Sequence, residues 1–361
     1  MINNRRNVRA SRIVAGAATL AAAALLLTGC RADSGASDAD KASGEGLVIG
    51  WSQRGISGSD WWKTLVDGGQ AAADKIGAKI EVLDANGDSV RQNADIQTLI
   101  TKNVDVVIIN ANDPIGVGAS IEALKNAGIP VVTVNSNLDP SLVPDTFCYV
   151  AEDQEATGAL AGDVAAKDAI EKYGETGEIK VVGIGGFPGD VLSDLRFNGF
   201  MDGFNKVIAD YPGITVNALD MKYGEWKPDK ALGPIRDVAT ANPDLKVVYS
   251  MSDVMNGGVK EGLQQAGLWG DGIILASYDG GMVSVKEMMD DPTGPLQATA
   301  SNQPWDQGTT AVEMAVAAFN GDDSACPNKT LYIDTTVVTP ENAKDYYTES
   351  DTYVRAQDED E

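Results

Sequence analysis

The sequence predicts an α/β protein built from two doubly wound parallel-sheet lobes, and two observations carry that expectation. Short β-rich apolar runs alternate with amphipathic helical stretches, and the whole series occurs twice. The first series has strand runs at Leu47–Ile49, Lys79–Leu83, Val104–Ile109 and Pro130–Val134, with helical patterns such as Ser89–Lys102 between them. The second has them at Ile179–Val182, Thr215–Leu219, Val247–Tyr249 and Ile273–Ala276. Near-continuous apolar strands joined by helices imply parallel sheets covered on both faces. In such sheets a ligand sits beyond the carboxyl ends of the strands, so two facing lobes would form a cleft lined by strand-end loops from both.

Composition removes several classes of function. The 361 residues include no His, which excludes Ser-His-Asp and Cys-His nucleophile pairs and any His-ligated metal. A formal charge of −25, from 28 Lys+Arg against 53 Asp+Glu, disfavours nucleic acid and anionic membrane surfaces as partners. With 43% hydrophobic residues the chain can bury a substantial core.

Residues 1–29 read as an export signal: Arg5, Arg6, Arg9 and Arg12 precede an uncharged apolar run, Ile13 to Gly29, that is short for a membrane span. The run ends Leu27-Thr28-Gly29-Cys30, which resembles the lipobox of bacterial lipoproteins, where the signal is cut before a Cys whose thiol is acylated. Acyl chains on Cys30 would hold the acidic body at the outer face of the cell membrane. Residues 30–45, rich in Ser, Ala, Gly and Asp, read as the lipidated Cys and a flexible tether.

The strand-end loops are the specific part of the chain. The first strand leads into Ser52-Gln53-Arg54-Gly55 and on to Ser59-Asp60-Trp61-Trp62, and the fourth into Asn135-Ser136-Asn137. The second series supplies Gly185 to Asp190 running to Arg196, Tyr223 to Trp226, Ser252-Asp253 and Tyr278-Asp279-Gly280, with Ser301-Asn302-Gln303 further on. In order and spacing these segments, together with Asp67-Gly68, Ala72 to Lys75 and Gly199-Phe200, resemble the sugar-binding proteins of ABC importers. Those form the type I periplasmic family that includes the ribose-, galactose- and xylose-binding proteins. The resemblance implies a three-crossing hinge, placed near Val150, Asn302 and Leu331, and a sugar presented to a permease. It divides the chain into a first lobe of residues 46–150 plus 303–330 and a second of 151–302 plus 331–355, leaving 356–361 as an acidic tail. A monomer without cofactor or metal is expected.

The residue chemistry suits a sugar, which offers apolar C–H faces and a rim of hydroxyls and so calls for flat aromatic surfaces and bidentate polar groups. The candidate ligand-binding residues are Ser52, Trp61, Trp62, Asn135, Asp190, Arg196, Trp226, Asp253, Asp279 and Asn302. By resemblance Trp61 and Trp62 take the family's paired aromatic position, Trp226 its second stacking aromatic, and Asn135, Arg196, Asp279 and Asn302 its hydroxyl-binding positions. Adjacent helical residues point about 100° apart, so one of Trp61 and Trp62 is open to a core role. Asp279 is open to a second role as cap of the following helix. Ser252 departs from the Asn common in the family.

Other signals carry less. Gly183 to Gly189 matches a dinucleotide fingerprint only loosely, with its third Gly late and Pro188 intervening. Asp84, Asn86, Asp88 and Asp95 fall at calcium-loop positions, but Ser89 stands where the turn wants Gly, and a turn with a helix cap at Ser89 is expected instead. A second class remains open: a secreted carbohydrate-active enzyme using Asp253 and Asp279 as a carboxylate pair, since glycoside hydrolysis needs no His. A sugar-responsive repressor is excluded by the export signal standing where a basic helix-turn-helix would be.

Two further expectations follow from the resemblance. In an oxidising compartment, Cys148 and Cys326, each just before a crossing, are expected to form a disulfide near the hinge. Where ribose-type members carry an Asp-Arg pair, this chain has Asn135-Ser136, which suits a neutral monosaccharide or sugar alcohol.

Overall fold

A computed structural model describes residues 42–57, 59–270 and 272–357. The export signal, Cys30, most of the tether and Asp358–Glu361 lie outside the described residues. The first sheet takes β1 (Val48–Gln53), β2 (Lys79–Asp84), β3 (Val106–Ile109), β4 (Val131–Val134) and β5 (Cys148–Ala151), all parallel. The second takes β6 (Thr176–Gly185), β7 (Gly213–Ala218), β8 (Lys222–Tyr223), β9 (Leu245–Ser250), β10 (Ile274–Asp279) and β11 (Leu296–Ser301). The chain then returns twice: β12 (Thr330–Tyr332) joins the first sheet beside β5, and β13 (Thr336–Val338) pairs antiparallel with β11. The orders β2-β1-β3-β4-β5 and β7-β6-β9-β10-β11 are the same winding repeated. Each sheet buries apolar side chains on both faces, as the unbroken buried runs of β3, β4 and β10 require.

The helices are α1 (Asp60–Ile76), α2 (Ser89–Thr101), α3 (Gly118–Ala127), α4 (Gln154–Tyr173), α5 (Val191–Ile208), α6 (Pro228–Ala241), α7 (Asn256–Gln265), α8 (Met282–Asp290), α9 (Pro304–Asn320) and α10 (Ala343–Tyr346). Local chemistry sets their ends. Ser59 Oγ accepts from the Trp62 N–H to start α1, and Gly77 ends it in the left-handed region at φ 74°. Asp88, not Ser89, caps α2, accepting from the Val90 and Arg91 N–H groups; a carboxylate there satisfies two free donors and leaves Ser89 as the first helical residue. Helices α4 and α5 approach until a Cβ on Gly162 would lie 2.0 Å from the Phe200 carbonyl, so this pairing requires glycine.

Several boundaries differ from expectation. The tether is shorter than residues 30–45: Asn320 donates to the Ala42 carbonyl at 2.8 Å, and Gly44 packs on Ile76, which fastens the chain before Gly46. The crossings lie between Ala151 and Gln154, between Ser301 and Pro304, and between Ile333 and Thr336. The third comes later than Leu331 because β12 pairs with β5 through Tyr332, and Ile333 still donates to the Ala151 carbonyl. Residues 356 and 357 are not a free tail. The Val354 N–H donates to the Gly280 carbonyl, buried Tyr353 packs in the first-lobe core, and Arg355 lies 3.6 Å over the Trp305 ring. The Ala356 N–H then reaches Asp306 Oδ2 at 3.0 Å, so the C-terminal segment spans from the second lobe to the first.

A disulfide joins Cys148 to Cys326. Cys148 opens β5 while the crossing leaves from its other end at Ala151, so the bond fastens two segments of the first lobe rather than the hinge itself.

Candidate ligand cleft

In both sheets the strand order reverses beside the first strand, between β1 and β3 and between β6 and β9, and the strand ends there form the crevice. On the first lobe, Ser52, next to last in β1, has its Oγ buried and unpartnered. Beside it Asn110 follows β3, its N–H donating to the Ser52 carbonyl at 2.9 Å and both its side-chain amide atoms buried without a partner. Arg54 stacks 5.2 Å from the Trp62 ring and donates through Nη1 to Ser136 Oγ at 3.1 Å, while its Nε is buried and unpartnered. Burial lowers its pKa, and the charge of Asp190 from the other lobe opposes that shift. Asn135 is held at φ 60° by its N–H to the Val150 carbonyl and by Tyr149, whose hydroxyl donates to its C=O at 2.9 Å.

On the second lobe Arg196 is buried in the second turn of α5. It donates through Nε to Gln154 Oε1 and through Nη1 to the Met251 carbonyl, both at 2.7 Å, and lies 3.9 Å from the Tyr278 ring centre. Asp279 ends β10 at φ 111°; its Oδ1 faces Arg196 Nη1 at 3.4 Å and accepts from Asn302 Nδ2 at 3.0 Å, while Oδ2 accepts from Ser252 Oγ at 2.6 Å. Asn302 closes the set by accepting from Trp61 Nε1 at 2.8 Å. Burial pushes the Asp279 carboxyl up to about 7, with Arg196 opposing and Asp253 adding to the rise. Trp226, at φ 56°, lies against Gly186, where a Cβ would fall 2.0 Å from the indole, and 5.7 Å from Arg196.

The structure thus brings Trp61, Arg196, Asp279 and Asn302 into one hydrogen-bonded set and seats Trp226 beside it. Trp61 is a core residue with one polar contact, and Trp62, half-buried, is the platform for Arg54. Asp190 caps α5, accepting from the Leu192 N–H at 3.2 Å and from Ser193 Oγ at 3.1 Å. Asp253 is held within the second lobe: its carboxylate accepts from Asn256 Nδ2, Ser277 Oγ, Thr299 Oγ1 and the Gly281 N–H just before α8. The cap expected of Asp279 is not made, α8 starting after Gly281 without a side-chain cap, and both Asp253 oxygens are engaged inside the lobe. Asn110, Arg54, Glu152 and Gln307 were not among the sequence candidates. The first two had a readable signal, being polar residues placed directly after apolar strands.

Residues 49–323 match the family model of the periplasmic binding protein domain. The chain belongs to this family. As a periplasmic binding protein it is an extracytoplasmic solute binder and not an enzyme. It is 29% identical to the ribose import binding protein of Escherichia coli over 259 residues, 72% of this chain and 80% of that one. It is 28% identical to the xylitol-binding protein of Mycolicibacterium smegmatis over 205 residues, 56% of this chain and 54% of the other. An ABC transporter solute-binding protein from Mycobacterium smegmatis, solved with glycerol bound, superposes with a TM-score of 0.71 at 29% identity, covering 86% of this chain and 99% of the other. The periplasmic binding protein fold accounts for the two-lobe winding and for polar groups gathered at the strand ends.

Proposed function

We propose that this periplasmic binding protein captures one neutral monosaccharide or sugar alcohol between its lobes and delivers it to the permease of an ABC importer. It acts as an exported monomer, held at the outer face of the cell membrane by acyl chains on Cys30. The lobes, residues 42–151 plus 304–333 and 154–301 plus 336–354, close as two bodies about the crossings. The observation that carries the reading is the unfilled hydrogen-bonding capacity of the first-lobe wall. Ser52, Asn110 and Arg54 hold buried donors and acceptors without partners, and a buried polar group left unpaired costs about 1–3 kcal/mol until a ligand satisfies it. Asn135 adds an amide to this wall, and Arg196, Asp279 and Asn302 answer it from the second lobe and the hinge. Trp62 and Trp226 supply flat surfaces for C–H faces.

Charge supports a neutral ligand. Arg54 is faced by Asp190, and Arg196 by Asp279 and Glu152, so neither cation is left to hold an acid or a phosphate. The names of the relatives agree in class, ribose and xylitol among them. Calorimetry against pentoses, hexoses, inositols and linear polyols, beside sugar acids and sugar phosphates, tests the reading. Binding is expected within the neutral set, and tight binding confined to the anionic set overturns it.

A further inference from the structure

The C-terminal residues are stitched alternately to the two lobes. The Thr352 carbonyl accepts from the Met282 N–H at 2.9 Å and the Val354 N–H donates to the Gly280 carbonyl at 2.8 Å, with Tyr353 bridged to Gly281 between them. That backbone lies on the second lobe, and the Val354 side chain is fully buried in its core. Tyr353 goes the other way: successive side chains of an extended segment take opposite faces, and its ring is buried among the first-lobe core residues. Burial raises the pKa of its hydroxyl, and Asp279 and Asp253 of the second lobe add to the rise together with Asp60 of the first, so the group stands between the lobes. Arg355 then stacks 3.6 Å over Trp305 and the Ala356 N–H donates to Asp306 Oδ2 at 3.0 Å, both partners in the first turn of α9. Gln357 Nε2 returns to the second lobe, donating to the Asp345 carbonyl of α10 at 3.0 Å.

Both ends of this segment sit at places that matter for capture. Its second-lobe end grips the turn directly after Asp279, where Asp279 at φ 111° is followed by Gly280 at φ 72°. Its first-lobe end meets α9, which starts directly after the second crossing. A carboxylate of the ligand wall is thus joined to the hinge by a path outside the three crossings. The path has little slack. Neighbouring Cα atoms are about 3.8 Å apart, so Tyr353 and Val354 cannot both stay buried once the lobes part at this point by more than a few ångströms.

We propose that residues 352–357 form a fourth, non-covalent crossing, a strap that confines the lobes to a narrow range of separations around that of ligand capture and couples the Asp279 turn to the start of α9. Parting the lobes here unseats Tyr353 or Val354 and exposes apolar surface, whereas approach is already limited by contact between the lobes, so the separations that the strap forbids are the wide ones. A narrowed range lowers the conformational cost that a ligand meets on closing the lobes. The effect on affinity rests on the proposed function; the restraint on lobe separation does not.

Small-angle scattering and calorimetry of the mature protein test the strap, with xylitol, D-ribose and myo-inositol as probes. One variant, Tyr353→Ala with Arg355→Ala, removes its side-chain holds on the first lobe. A second inserts Gly-Ser-Gly-Ser between Val354 and Arg355, which slackens the strap without removing a buried side chain and keeps the test if the first does not fold. In both, the radius of gyration of the unliganded protein should rise and that of the liganded protein should match the wild type. Affinity should fall about tenfold in the first and about threefold in the second, as the fraction of molecules at the capture separation falls by those factors. Tyr353→Phe keeps the ring seated and should bind within about twofold of the wild type. Unchanged unliganded radii in both slackened variants overturn the proposal, and so does a tenfold loss in Tyr353→Phe, which makes the hydroxyl a ligand contact instead. If no probe binds the wild type, the proposed function is what fails, and the unliganded radii still decide the strap.

Discussion

Replacing both half-cystines, Cys148→Ala with Cys326→Ala, tests whether the disulfide is a staple of the first lobe or a hinge element. The bond closes a loop across a sequence separation of 178. In the chain-entropy account a loop of that length is worth about 5 kcal/mol at 25 °C, and residual structure in the unfolded chain brings the expected loss to about 3 kcal/mol. For roughly 310 folded residues unfolding with about 2.1 cal/mol/K each, 3 kcal/mol lowers Tm by about 5 °C. Differential scanning calorimetry of wild type and double variant, each with and without reductant, measures it. Binding of a neutral probe should change by less than about twofold, because the bond lies at the end of β5 remote from the crossing. A Tm equal to that of the wild type refutes the entropy reasoning; unchanged Tm loss accompanied by a tenfold affinity change would place the bond in the hinge after all.

Glycines in helices should respond in opposite directions according to what faces them. Gly162→Ala drives a methyl to 2.0 Å from the Phe200 carbonyl and should cost about 2–3 kcal/mol in denaturant unfolding, whereas Gly257→Ala in α7 meets nothing within 4 Å and should stabilise by about 0.5–1 kcal/mol. Stability should also fall as pH rises toward neutrality: burial lifts Asp279 to about 7 and Asp168 to about 6, so the folded state binds more protons than the unfolded one, and stability present below pH 4 is lost as pH climbs through those values. Tm scans from pH 5.5 to 7.5 should therefore slope less in Asp279→Asn than in the wild type, and parallel scans would contradict this cause.

The winding of both lobes was legible because parallel strands buried on two faces must read as short apolar runs, and these runs stand out between amphipathic helices. The edges were not. Thr330–Tyr332 and Thr336–Val338 are three-residue strands with partners on one side only, and their composition does not separate them from loop. Residues 331–355 were expected in the second lobe and 356–361 as a tail, yet one bridge from Gly281 to Tyr353 and an Arg355–Trp305 stack seat residues 353–355 across both lobes. Among the candidate site residues, Trp61, Arg196, Asp279 and Asn302 were named from the resemblance that their loops carry, and the structure brings the four together. Glu152 and Gln307 were not, because their meaning lies in meeting each other across 155 positions of chain.

Asp253 and Asp279 show why a strand-end carboxylate cannot be assigned from its position alone. Both follow an apolar parallel strand, and both are buried, so the same burial raises the pKa of each. Their neighbours separate them. Around Asp253 stand two hydroxyls, an amide and the N–H that opens α8, a shell of uncharged donors belonging to one lobe, which makes it a clasp between β9, β10 and β11. Asp279 meets a guanidinium from α5, an amide from the second crossing and, through that amide, an indole from the first lobe. Any change in lobe separation must alter what Asp279 touches and can leave Asp253 untouched. A ligand reaching Asp279 therefore acts on the hinge, and the enzyme reading, which needs both carboxylates free over one substrate, fails on the geometry of Asp253.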